Sequence, residues 1–232
     1  MNKLFYYCLI ALAFFLYSCE TEQYSCNADA DAWVKQNISQ VRKMTRSDWL
    51  QLAENEIVKR AAYVAFSSDQ KLDFWEDKLR EVVSSYNWNE KETKHIISLL
   101  GYIRSSQMFE KKRLCEKDEI FLYKWSDYAK TELGWSKQII YAVAGDGNSI
   151  YIDTKENLHI SNPYMAPQDT EFKYANGTCS CSFDSDFCDI FGEIPSIVVS
   201  CNNNNYNCTA TDTGCGLMWS FPCTGICKSP IA

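Results

Sequence analysis

At 232 residues, the chain is long enough for one ordinary domain, or a modest domain plus a small one. Its net charge of −7 lacks the basic balance that a nucleic-acid binder needs to displace counterions, so no nucleic-acid partner is expected. An apolar fraction of 46% excludes a mostly disordered chain, and twelve cysteines are out of place in a reducing cytosol.

The first elements form an export address. Lys3 supplies a short positive segment, and Leu4 to Leu16 runs without a charge for thirteen residues, which fits a signal-peptide core and is short for a membrane span. Leu16-Tyr17-Ser18-Cys19 then resembles a bacterial lipobox. That pattern implies a signal over residues 1–18, lipidation of Cys19 and a tether over 19–27. A thioether-linked diacylglycerol plus an N-acyl chain anchors stably where a single chain does not. The expected location is the cell envelope, lipid-anchored at the outer membrane or cell surface.

Residues 28–145 read as a bundle of five or six helices. Between Ala28 and the closing Gly145 there is no proline, and the only glycines are Gly101 and Gly134. Val34, Ile38 and Val41 step at helical spacing behind Asp29 and Asp31. Ser47 is placed to cap a second helix with Leu50, Ala53, Ile57, Ala61 and Val64 on one face. Ser68 or Asp69 caps a third, with Leu72, Trp75, Leu79, Val82 and Tyr86 inward. Asn89 with Glu92 three residues on resembles a capping box before Ile96, Leu100 and Ile103. Phe121, Trp125, Tyr128, Ala129 and Leu133 make a fifth face ended by Gly134, and Ile139, Ile140 and Val143 a short sixth. Trp33, Trp49, Trp75, Trp88, Trp125 and Trp135 sit here and are expected mostly as core anchors rather than as a ligand-stacking platform. The run Asp73, Glu76, Asp77, Lys78 and Arg80 reads as a solvated face, and His95 as structural.

Residues 146–175 form a linker with weak β character. Asp146-Gly147-Asn148 is a turn signal, Ile150–Ile152 and Leu158–Ile160 alternate as a short strand pair, and Pro163 and Pro167 break any regular element beyond them.

Residues 176–232 hold eight cysteines: Cys179, Cys181, Cys188, Cys201, Cys208, Cys215, Cys223 and Cys227. A segment of 57 residues buries too little apolar surface to stand by packing alone, so these are expected as disulfide-forming residues of a small, loop-rich, β-leaning domain. Their spacing lacks two matched C-x2–4-C pairs and a nearby histidine, so no metal is expected. With Cys19 lipidated, Cys26 and Cys115 are left over, and an extra bridge between them would fasten the tether to the bundle.

Here the sequence resembles a known family. Cys179-Ser180-Cys181-Ser182, Ser185-Asp186-Phe187-Cys188 and Thr213-Gly214-Cys215-Gly216, with Trp219 three residues later, resemble fulvocin C, a small eight-cysteine bacteriocin of myxobacterial origin. The Cys188–Cys201 loop is longer here and the tail after Cys223 departs. The layout of lipoprotein signal, helical middle and cysteine-rich end is similar to that of the bacteriocin fulvocin C-related proteins of Bacteroidota. The resemblance implies an antibacterial effector in the last quarter of the chain, releasable by a cut near Lys173–Ala175. From residue 176 onward, Asp184, Asp186, Asp189, Glu193 and Asp212 face only Lys228, so anionic lipid repels the segment and a receptor or surface polymer is the expected target. The alternative is a non-toxic envelope lipoprotein that uses the same region as a binding module, with Phe183, Phe187, Phe191, Tyr206, Trp219 and Phe221 as contact surface or small core. No G-x-S-x-G, H-E-x-x-H, P-loop or dinucleotide fingerprint occurs, so no catalytic residue and no cofactor are expected.

Overall fold

A computed structural model describes residues 22–25, 28–54, 56–154, 158–160, 179–181, 200–202, 211–223 and 225–228, and the chain is mostly helical with a few short strands. The helices are α1 (Ala28–Gln36), α2 (Ile38–Val41), α3 (Arg46–Leu50), α4 (Glu56–Val64), α5 (Ser68–Ser85), α6 (Glu90–Ser106), α7 (Glu116–Thr131) and α8 (Lys137–Ala144). The strands are β1 (Ile150–Ile152), β2 (Leu158–Ile160), β3 (Cys179–Cys181), β4 (Ser200–Asn202), β5 (Thr211–Cys215), β6 (Phe221–Cys223) and β7 (Gly225–Lys228).

Two expected helices are each split. Asn37 leaves helical geometry at φ −107°, ψ 14°, and divides α1 from α2. The second expected helix becomes α3 and α4. Its cap is Thr45, not Ser47: Thr45 Oγ1 accepts from Asp48 N, and Asp48 Oδ2 accepts from Thr45 N at 2.9 Å. The split lets the chain double back, so that Trp49 Nε1 donates to the Lys59 carbonyl at 2.6 Å. In one unbroken helix those two residues would lie about 15 Å apart.

The remaining helices follow their sequence signals closely. Ser67, one residue before the expected position, caps α5 in a box with Gln70. Asn89 and Glu92 form the expected box on α6. Gly134 takes φ +67°, the left-handed turn that ends α7, and Gly145 follows α8. Central α5 packs against α3, α6, α8 and β1, and buries Phe74, Trp75, Leu79 and Val82. Trp49, Trp75, Trp88, Trp125 and Trp135 are buried and Trp33 packs against the same core. Each buries a large apolar area, which makes the tryptophans the main hydrophobic anchors of the bundle.

β1 and β2 pair antiparallel with Ile150 opposite Ile160. In the cysteine-rich region β7 lies between β3 and β4, with Cys227 opposite both Cys179 and Cys201 along the backbone. β5 pairs with β6. The signal over 1–18, Cys19, Cys26, Cys188, Cys208 and residues 161–178 lie outside the described residues. So do the side chains of the other six C-terminal cysteines. The expected lipidation, disulfides and Cys26–Cys115 bridge therefore rest on the sequence. No described helix is long and apolar enough to cross a membrane.

Candidate functional site

The segment after β5 does not stay with the cysteine-rich region. It turns through a short 3-10 helix, Leu217–Trp219, and enters the core of the helical bundle. Trp219 is 1% exposed and occupies an aromatic cage. Its ring centre lies 4.8 Å from Tyr63 on α4, 5.6 Å from Trp75 and 5.9 Å from Phe74 on α5, and 5.7 Å from Trp49 on α3. The Tyr63 and Trp75 contacts are edge-to-face, the arrangement that the ring quadrupoles favour. Arg60 places its guanidinium 5.0 Å from the Trp219 ring. A small pocket of mixed polarity beside the cage is lined by Lys71, Phe109, Lys111, Leu114, Thr213 and Ser220.

Two hydrogen bonds fix the depth of insertion. Trp219 Nε1 donates to the Gly145 carbonyl at 2.9 Å. Tyr63 Oη donates to the Met218 carbonyl at 3.1 Å while accepting from Trp75 Nε1 at 2.8 Å. Burial pushes the Tyr63 phenol far above its ordinary pKa, so it remains a donor across the physiological range. At the rim, Arg113 Nε meets Asp212 Oδ1 at 3.0 Å and Lys112 Nζ meets Oδ2 at 3.4 Å. Partial burial raises the Asp212 pKa, but the bonds from Arg113 and Lys112 outweigh it and hold the carboxylate below its usual range.

The inserted backbone is strained. Met218 and Trp219 carry φ of 53° and 50°, in the left-handed region that side chains with a Cβ avoid. Such residues persist only where the surroundings over-determine them, at about 1–3 kcal/mol each.

Beneath the cage, the turn Gly145–Ser149 is gripped by three buried cations. Arg46 Nε donates to the Gly147 carbonyl at 2.9 Å, and Arg46 Nη1 reaches Asp77 at 3.0 Å and Glu81 at 2.6 Å. Lys78 Nζ donates to the Asn148 carbonyl, and Lys59 Nζ reaches Asn148 Oδ1 at 3.3 Å. Lys59 also lies 4.5 Å from the Trp49 ring centre. Desolvation lowers Lys78 to about 8, against an opposing pull from Asp146. Asp146 Oδ1 accepts from Asn148 N at 2.7 Å and shapes the turn that the sequence signals. Lys78 is fully buried, so the expectation of a solvated charged face fails at that residue. Its neighbours Glu76 and Asp77 do reach outward, Glu76 pairing with Arg104 at 2.6 Å. Gly147 is part of the same fit: a Cβ there would lie 2.5 Å from Phe74 Cζ and 2.9 Å from Trp219 Cη2.

Other candidates stand apart from this site. His95 stacks on Trp125 at 4.6 Å and 9°, with Nε2 3.0 Å from the Trp125 carbonyl, while Trp125 Nε1 donates to the His95 carbonyl at 3.0 Å. Burial lowers the His95 pKa, and its Nε2 is held by the Trp125 backbone carbonyl, which is a structural role. His159 pairs with Asp153 at 3.0 Å on the hairpin. Cys115 is exposed at the start of α7 without a disulfide partner among the described residues, and its Sγ lies 3.1 Å from Asp118 Oδ2. Asp118 is buried. Burial raises its pKa, but Lys111, Cys115 and Tyr102 together hold it down to about 2. Among the described residues no group of three or more His, Cys, Asp or Glu could hold a metal.

Of the residues singled out in sequence, Trp219 belongs to the site, and so do Trp49 and Trp75, expected as core anchors. The cage residues Tyr63 and Phe74, the cations Arg46, Lys59 and Lys78, and Gly147 carry no signal that separates them from ordinary helix and turn positions. Comparisons with protein-family models, curated proteins and solved structures find no match to this chain.

Proposed function

We propose that this chain is an envelope lipoprotein, tethered through Cys19, whose helical body displays the cysteine-rich region as a fixed binding surface for an envelope polymer or partner protein. The observation that supports this reading is Trp219, which is 1% exposed inside the helical body. A region inserted this way is built to be held in position. A cargo destined for release would not complete its carrier's core. The acidic balance of residues 176–232 suits a specific partner better than attraction to anionic lipid.

A second reading, an antibacterial effector of the fulvocin C-related kind, is favoured by the CSCS and TGCG-x-x-W motifs. The residues of the second motif are those that lead into the cage. In this reading the body masks part of the effector. Both readings are tested by adding purified full-length chain, and a fragment beginning at Ala175, to neighbouring bacteria and to envelope extracts. Recovery of an envelope polymer or protein without growth inhibition supports the display reading. Killing by the fragment at the potency of the full chain overturns it in favour of the effector.

A further inference from the structure

The contact between the body and residues 212–221 has the make-up of a binding site and its ligand. It has a deep aromatic pocket, a tryptophan anchor, a directed hydrogen bond at the anchor's own Nε1, a second at the preceding carbonyl, and a charged pair at the rim. Buried aromatic anchors of this kind dominate binding energy where two separate chains meet, and charged rim pairs contribute little. The ligand enters by a route that local structure disfavours, since two of its residues other than glycine hold left-handed backbone. The cage and not the turn therefore sets this conformation. Ile160 and Thr211 are separated by fifty residues of chain.

We infer that the helical body is a binding site for its own Asp212–Phe221 segment, and that it retains the C-terminal region after the chain between residues 160 and 179 has been cut. The inference rests on the reading that the body and the cysteine-rich region work as one unit. Under it, cleavage at the linker does not free an effector. A second event, withdrawal of Trp219 from the cage, is needed, and a protein bearing a tryptophan-containing loop of the same shape is the kind of competitor that supplies it.

The test uses the full mature chain with a site-specific protease sequence inserted after Lys173, solubilised in detergent and cut to completion. The expected result is a single particle on native size-exclusion chromatography, whose two pieces separate on a non-reducing denaturing gel. In Trp219→Ala, at least half of the C-terminal piece is expected to elute alone after the same cut. Should that variant be unfolded before cutting, Tyr63→Phe serves instead. It keeps the ring, loses the bond to the Met218 carbonyl, and is expected to shorten the retention half-life several-fold. Separation of the cut wild-type pieces on native chromatography overturns the inference. So does a non-reducing denaturing gel that leaves them joined, because retention then belongs to a disulfide. Neither result bears on whether the displayed surface binds an envelope partner, so this inference and the display reading can fail separately.

Discussion

Two tryptophans solve the same problem in opposite ways. Trp125 on α7 buries its ring against His95 on α6, and the two residues exchange a pair of 3.0 Å hydrogen bonds through each other's backbone. Their helices follow each other in the chain and the contact spans thirty residues. Trp219 buries its ring among residues 49, 63, 74 and 75, and donates to Gly145, seventy-four residues away. The first site is closed within the bundle. The second is left open by the bundle and closed by a region that composition assigns to a separate domain. The helical body is therefore complete only when the far end of the chain is in place.

The sharpest way to break the comparison is to remove each ring. Trp125→Ala and Trp219→Ala should each cost about 3–5 kcal/mol of unfolding free energy, as large-to-small changes at fully buried aromatics do. The two should differ in what else changes. In Trp219→Ala, limited proteolysis is expected to cut within residues 203–228 several times faster than in wild type, whereas Trp125→Ala leaves that rate unchanged once both are compared at equal stability. Equal digestion in the two variants would show that the cage does not order the C-terminal segment.

The turn beneath the cage gives the next largest effect, and it appears as a pH dependence. Lys78 and Lys71 both have amines lowered by desolvation to about 8, from an ordinary 10.5. Between those values the unfolded chain holds a proton that the folded chain does not, and stability rises with pH wherever the unfolded state binds more protons. Stability should therefore climb from pH 8 towards pH 10, by roughly 1 kcal/mol per lysine for each rise of one in pH. Above pH 10 Tyr63 opposes the trend, because its raised pKa keeps it protonated in the fold while the unfolded phenol ionises. Chemical denaturation at pH 7.5, 8.5 and 9.5 reads this slope. Lys78→Met should flatten it by about half, and an unchanged slope would exclude Lys78 as its source.

Gly147→Ala probes where turn and cage meet. The added Cβ would press on Phe74 Cζ and Trp219 Cη2, both of which are buried in the core. Overpacking of this kind costs about 1–3 kcal/mol. If the strain is relieved by withdrawing Trp219, retention after linker cleavage should weaken together with stability. A variant as stable as wild type would mean that the aromatic cluster has more room than its contacts imply.

The same contrast explains what the sequence discloses. The α6 cap is legible because Asn89 and Glu92 satisfy each other's backbone within one turn, and the end of α7 is legible because Gly134 sits where only a left-handed residue fits. The core faces of α5 and α6 follow from spacing, with Trp75, Leu79, Val82, Ile96 and Ile103 buried as read, although Leu99 rather than Leu100 is the fully buried partner. The split between α3 and α4 is not legible, because the bond that rewards it joins Trp49 to a carbonyl in the next helix. Lys78 is misread for a related reason. A lysine amid acidic neighbours resembles a surface residue until the Asn148 carbonyl, seventy residues on, is brought against it. The cage is the extreme case. Nothing local in Leu217-Met218-Trp219 distinguishes a tryptophan that fills a small disulfide core from one that leaves to complete another.

The smallest expected effect lies at the rim. Asp212→Asn removes the charge that Arg113 and Lys112 share, while its amide keeps a similar shape. Arg113 and Lys112 are largely exposed, at 72% and 84%, so water screens most of the attraction and the loss should be only about 0.2–1 kcal/mol. Salt should mimic it, since screening at about 0.5 M removes most of an exposed pair's energy. Asp212 adds a linked signature: its lowered pKa means that the stabilisation is present above the ordinary carboxylate pKa and is lost as pH falls through the folded one. Wild type should therefore lose slightly more stability than Asp212→Asn on acidification from pH 5 to pH 3. If Asp212→Asn cost as much as Gly147→Ala, the rim pair and not the tryptophan would be guiding the segment into place, and the ranking of anchor over rim would have to be reversed.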